Sequence, residues 1–382
     1  MKKEKKIWFN NVDKASEIAI YFGFKPENDL VISEKETKLA QKIIKKDQKI
    51  KTETGIRKTE DLLGVLSDYI QDTKKQTTCL SIFKKKTRAD KKHQEILLEI
   101  INDGKSFSDI LIIRTALLIL KETTDYKKLK LYINSLGDRE SIARFTREFH
   151  NYYKKNLNRL TITCQNNWKI DPYGVLNCHH DMCRKIAENS PKPFGYLSEN
   201  SRRYFKEVLE GLEKIEIEYE FNEKMTTGKP FGSQTLFIIK NQKGELVAEG
   251  GRYNNLAKKI IQRRELPSVG VTLIVPTNSS KMKKNIPKPE IFLIQIGQEA
   301  KIKSLKIIEE LRKIKIPIMQ SLTNDKMSSQ LGLAEKYKTP YAMIIGQQES
   351  LEDVVILQDL KSREQHTIPI NKLTTEIKKF LK

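Results

Sequence analysis

Residues 245–260 read "ELVAEGGRYNNLAKKI". An apolar, strand-like "ELVAE" meets Gly250-Gly251, then Arg252-Tyr253, then the helical pattern of "NNLAKKI". The chain has only 17 glycines in 382 residues, so two in succession mark a place where the backbone turns tightly or is approached closely. The expectation is a strand that ends at the glycines, with Arg252 and Tyr253 presented into a pocket over a sheet.

The strands on either side support that sheet. "EIEYEFN", "QTLFIIKN" and "ELVAEGG" read as successive antiparallel strands, with "NQKG" (241–244) as a hairpin turn. Helices are expected over 106–122, 139–155 and 200–215, and a strand over 128–137. Helices beside an antiparallel sheet make an α+β domain. Residues 276–289, polar and Pro-flanked, read as a linker. Beyond it, "EIFLIQIG", "IPIMQSL" and "YAMIIG" alternate with amphipathic helices, and two further strands precede a last helix. That pattern predicts a mainly parallel α/β sheet over 290–382.

Net charge is +22, mean hydropathy is −0.55, and no apolar run is long enough to span a bilayer. The charge points to a polyanionic partner such as RNA. Only 15 of the 71 basic residues are arginine, so lysine-rich composition alone could also produce it. Basic runs fall at 42–51, 83–93, 152–159 and 281–289, the first three expected as solvated loops or helix faces. Four cysteines make no disulfide framework, no signal peptide is expected, and a cytoplasmic location follows. Cys164, Cys178 and Cys183, with His179 and His180 beside them, are spaced C-x13-C-x4-C. That is no standard zinc finger or ribbon, and no metal is expected.

"GGRYNNL" resembles the "GGRYDGL" stretch of histidyl-tRNA synthetases, the class II ligases that join histidine to its tRNA. "LYINSLGDRES" (131–141), "CQNNWKIDPYGVLNC" (164–178), "GKPFGSQTLFII" (228–239) and "LPSVGVTLIV" (266–275) resemble further segments of that family in the same order. "KASEIAIYFGF" (14–24) resembles its motif 1 helix, and the region after the linker resembles its anticodon-binding domain. The resemblance implies a class II synthetase-like antiparallel-sheet domain over 1–275, the linker, and an anticodon-binding-like α/β domain over 290–382. It also implies a homodimer paired through the motif 1 helix, and tRNA or related RNA as partner. Pocket positions carried over are Glu60, Glu95, Glu99, Gly250, Gly251, Arg252 and Tyr253.

The family's three phosphate-gripping arginines have no match. Thr277 stands at the motif 3 position, Lys84–Lys86 at motif 2, and Thr227 at the third, with Lys229 two residues away. Lys84, Lys86, Arg88 and Lys229 are the remaining candidates to contact phosphate, and no residue is assigned as catalytic. ATP and Mg2+ are implied only if activity persists. Three functions follow in order: an RNA-binding relative with impaired or lost histidine activation, a divergent but active ligase, and a synthetase-like regulatory subunit of a metabolic enzyme.

Overall fold

The computed structural model describes residues 7–26, 62, 63, 66, 69, 80–227, 232–261, 265–277, 284–321 and 324–381. Glu60, Lys229 and the basic run at 42–51 lie outside them. The chain enters on β1 (Ile7–Val12), passes Asp13, forms α1 (Lys14–Tyr21) and adds a short β2 (Lys25–Pro26). Asp13 caps α1 by accepting from Ser16 N–H at 2.8 Å. Next come β3 (Leu80–Thr87), β4 (His93–Ile101), α2 (Ser106–Thr123) and β5 (Leu129–Ser135).

A helical insertion follows: α3 (Arg139–Asn156), α4 (Ile162–Trp168), a 3-10 turn at Pro172–Asn177, α5 (Asp181–Glu188) and α6 (Glu199–Lys214). The chain returns to the sheet on β6 (Glu220–Phe221), β7 (Ser233–Asn241) and β8 (Leu246–Arg252), then crosses α7 (Leu256–Ile261) into β9 (Ser268–Pro276). These strands form one eight-stranded sheet in the order β2-β3-β4-β9-β8-β7-β5-β6, antiparallel except at its two short edge pairs.

Three expectations change here. The run at 83–93 is neither a loop nor a helix face. It is the β3–β4 hairpin, whose turn is closed by Asp90 accepting from Lys92 and His93 N–H at 2.9 and 3.0 Å. "EIEYEFN" contributes only the two residues of β6, which pair with β5 in parallel at the sheet edge. The segment expected as a linker contains β10 (Lys284–Pro287), which pairs antiparallel with β1.

The second sheet holds β11 (Ile291–Gln295), β12 (Ile318–Gln320), β13 (Tyr341–Ile345), β14 (Val354–Asp359) and β15 (Gln365–Pro369), in the order β12-β11-β13-β14-β15. Three strands are parallel and the last two antiparallel, so this sheet is mixed. Around it lie α8 (Gln298–Lys313), α9 (Met327–Lys336), α10 (Gln347–Glu352) and α11 (Leu373–Phe380). Asp325, just before α9, accepts from Lys301 at 2.6 Å and from Lys105 of the first domain; the N-cap position of α9 is Lys326.

The two domains share one hydrophobic core. Ile110, Ile113 and Leu120 of α2 and Ile18 and Phe22 at α1 belong to the same buried cluster as Ile302, Leu305 and Leu311 of α8. Polar contacts frame it. Arg312, 5% exposed, grips the Glu122 carboxylate, which also takes Lys14 at 2.9 Å. Arg114 pairs with Glu309, and Gln298 Nε2 donates to Ser106 Oγ at 2.7 Å. Residues Ala15–Tyr21 are all buried within the single chain. The motif 1-like helix packs in the core with α2 and the second domain.

The docking contacts carry a pH signature. Burial raises the Glu122 carboxyl, but hydrogen bonds from Lys14 and Arg312 outweigh it and hold the group below its ordinary value of 4.5. Burial likewise opposes, and Lys105 and Lys301 outweigh, at Asp325. A depressed carboxyl stabilises the fold above its unfolded pKa and loses that contribution as pH falls through its folded one. Urea midpoints are expected to stay level from about pH 7 to 5 and to fall below about pH 4.5. Glu122→Gln should flatten the acid limb; an unchanged limb would place the acid sensitivity elsewhere.

Candidate substrate pocket

Strand β8 does not end at its glycines. It runs on through Arg252, and α7 begins only at Leu256. The two glycines make room on opposite faces of the sheet. A Cβ on Gly250 would lie 2.2 Å from the Phe237 ring, on the face packed against α2. Gly251 has φ +151°, and a Cβ there would lie 2.6 Å from the Thr235 carbonyl oxygen. Gly251 pairs with Gly270, and Gly270 pairs with Glu99. A Cβ on Gly270 would meet the Glu99 carboxylate at 2.1–2.2 Å. The side chain of Glu99 thus lies down in a trough made by two glycines on neighbouring strands. We expect Gly250→Ala to cost about 1–3 kcal/mol, read as a urea midpoint, because Phe237 is fully buried and has nowhere to move.

Alternation along the strands sorts the candidates. Glu95, Leu97, Glu99 and Ile101 share the face that holds Tyr253, Leu256 and Ile82. Across from them, Lys86 pairs with Glu95 and Lys84 with Leu97, so both lysines take the same face. Lys85 takes the other and pairs with Asp13 at the start of α1. Tyr253 OH donates to Glu99 Oε2, and Arg88 Nη1 lies 3.5 Å from Glu95 Oε1. The structure therefore gathers Lys84, Lys86, Arg88, Glu95, Glu99, Gly251 and Tyr253 on one face.

Arg252 goes elsewhere. It is 1% exposed and points to the packed face. Its Nε and Nη2 donate to Asp109 Oδ2 at 2.9 and 2.7 Å, Nη1 to the Asp103 carbonyl at 2.7 Å, and Nη2 to the Lys105 carbonyl at 2.7 Å. Tyr204 OH donates to the same Asp109 carboxylate, and burial holds that phenol well above its ordinary pKa. Arg252 therefore braces the sheet against α2 and does not line the pocket. The expectation failed because the strand does not stop at Gly251; one more residue of strand reverses the side.

Sequence reasoning missed Glu249. It is 7% exposed and pairs with Thr272, which pairs with Leu97, so it shares the pocket face with Glu95 and Glu99. Its position two residues before Gly251 on an alternating strand was the available signal. Thr272 Oγ1 is buried beside it with no hydrogen-bond partner among the described residues. Three buried carboxylates therefore share this face with Lys84, Lys86 and Arg88.

At the motif 3 position, β9 runs straight through Pro276. Thr277 N–H then donates to the Lys92 carbonyl at 2.8 Å and its hydroxyl to the Lys91 carbonyl at 3.1 Å. That residue closes the β3–β4 hairpin and offers nothing to a phosphate. Thr227 is half-buried. No step through ATP or Mg2+ follows from these residues.

The profile described as "Anticodon binding domain" matches residues 290–380. Histidine–tRNA ligase of Acetivibrio thermocellus is 26% identical over 261 residues, covering 66% of this chain and 62% of that one. Histidine–tRNA ligase of Fervidobacterium nodosum is 28% identical over 279 residues, covering 70% and 65%. This chain spans less than two thirds of the length of these curated relatives. Apo histidyl-tRNA synthetase of S. aureus has the same fold, with TM-score 0.50 and 18% identity over 95% of this chain and 93% of that one. Glycine-floored antiparallel sheet and C-terminal anticodon-binding domain together define a class II synthetase fold. Within that class the chain is similar to histidine–tRNA ligases over about two thirds of its length. Among the described residues no helix is long and apolar enough to cross a membrane.

Proposed function

We propose that this chain binds tRNA or a related RNA and activates histidine with ATP either very slowly or not at all. The observation that carries the reading is Thr277. It stands where the resemblance calls for a phosphate-gripping arginine, and its hydroxyl is spent on the Lys91 carbonyl. On the sheet face, the Glu95 carboxylate already lies 3.5 Å from Arg88, which engages one of the remaining cationic candidates. The RNA half of the reading rests on the anticodon-binding domain and on the net charge of +22. Lys91 and Lys92, exposed at the hairpin tip, extend the basic surface of the first domain.

Filter binding to tRNA across a salt series tests the RNA half. If four phosphates are neutralised, affinity should fall about a hundredfold between 50 and 200 mM salt. A flat response, or no binding at 50 mM, would make the lysine excess compositional. The divergent-ligase reading has one observation in its favour: Lys84 and Lys86 share the face of Glu99 and could hold phosphate as point charges. A homodimer, implied by the resemblance alone, is part of the same proposal; a monomeric mass in solution at micromolar concentration would overturn it.

A further inference from the structure

The helical insertion brings together three thiols that the spacing kept apart. Cys164 lies in α4, Cys178 follows the 3-10 turn, and Cys183 lies in α5. All three Sγ atoms are within 4.8 Å of one another, and Cys164 and Cys178 are 3.4 Å apart. A tetrahedral Zn2+ with thiolates at about 2.3 Å separates its sulfurs by about 3.8 Å. The three sulfurs therefore already outline one face of such a tetrahedron.

Their surroundings are those of ligands held in place. Cys183 is fully buried, and its Sγ accepts from Thr161 N–H at 3.4 Å, with the Thr161 hydroxyl at 3.6 Å. The same Thr161 hydroxyl accepts from Cys164 N–H at 3.3 Å as the cap of α4. One residue thus orients two of the three sulfurs, as outer partners of metal ligands do. Trp168, Tyr173 and Tyr153 pack in the same cluster and limit access of water. That cluster is small for a segment of four helices and a turn, so a cross-link between α4, the turn and α5 would add much to its order.

We propose that Cys164, Cys178 and Cys183 form a three-thiolate site for a soft divalent cation, Zn2+, with water as the fourth ligand. Thiolate sulfur selects Zn2+ over the hard cations. Binding sends the three thiol protons to solvent and exchanges them for the ion. His179 and His180 are exposed and outside the sulfur cluster, and no other His, Cys, Asp or Glu among the described residues joins it. The role is structural. It is independent of the pocket on the sheet and of whether histidine is activated.

The test uses the full chain, purified reduced and loaded with Zn2+. Atomic emission is expected to give about one Zn2+ per chain. Replacement by Co2+ should give the intense ligand-field absorption of a tetrahedral thiolate site. Cys164→Ser, Cys178→Ser and Cys183→Ser should each bring the metal below about a tenth of an equivalent. Cys79→Ser should leave it bound. Because a serine variant could unfold the insertion, the wild-type Co2+ spectrum stands as the independent reading, and Trp168 fluorescence should change on chelation. Reduced protein that takes up no metal overturns the proposal, whether or not mass spectrometry finds a Cys164–Cys178 disulfide. So does metal that survives all three variants, or metal lost in Cys79→Ser.

Discussion

Purified protein given ATP, histidine and labelled pyrophosphate is expected to show no exchange above background. Activation places a carboxylate beside a triphosphate, and donors aimed at the reacting phosphorus supply most of the rate. Losing one such donor typically costs about 2.7–4 kcal/mol, a hundred- to thousandfold. By the resemblance, Thr277 and Thr227 stand at two of the three arginine positions and lysines at the other. The losses need not add, yet any two would take a working ligase to the edge of detection. Thr277→Arg alone should recover nothing, because β9 runs through Pro276 and the residue after it is held against the hairpin backbone. Robust exchange by the unaltered protein would make Lys84 and Lys86 the phosphate contacts and the chain an active ligase.

Arg252→Ala should destabilise the fold by about 3–5 kcal/mol. The truncation leaves Asp109 buried and strips the Asp103 and Lys105 carbonyls of a charged donor. Urea denaturation followed by circular dichroism reads it. The companion Asp109→Leu with Arg252→Met should cost less than the two single changes together, since no charge is then stranded. A loss under about 1 kcal/mol for Arg252→Ala would mean that water replaces the guanidinium.

Local pattern carried the sequence reading furthest where contacts are local. The second domain was legible because apolar strands and amphipathic helices alternate cleanly after residue 290, and the profile match covers the same span. Glu95 and Glu99 were named through the resemblance. A spacing of four on a strand then puts both on one face. The β3–β4 hairpin was not legible, because Lys84–Lys86 hide a strand's alternation behind three identical charges. Docking of α1 against the second domain rests on contacts some 300 residues apart, such as Tyr21 near Arg312, which no local pattern records. The clustering of the cysteines was not legible for the same reason: spacing along the chain says little about sulfurs that helices bring together.

The pairing of β1 with β10 sets a condition on how the protein is made. Ile7 pairs with Pro287, so the first strand leaves the ribosome with its partner still 280 residues behind. At about 5–20 residues per second, that partner follows about 14–56 s later. Fragments meet the same condition. A piece ending at residue 275 keeps the large sheet but leaves β1 with an open edge, exposing Trp8 and Phe9 to other chains. A piece beginning at residue 290 loses nothing from its own sheet. The strand pairing of the first domain is therefore complete only after Pro287, inside what its composition marks as a connector.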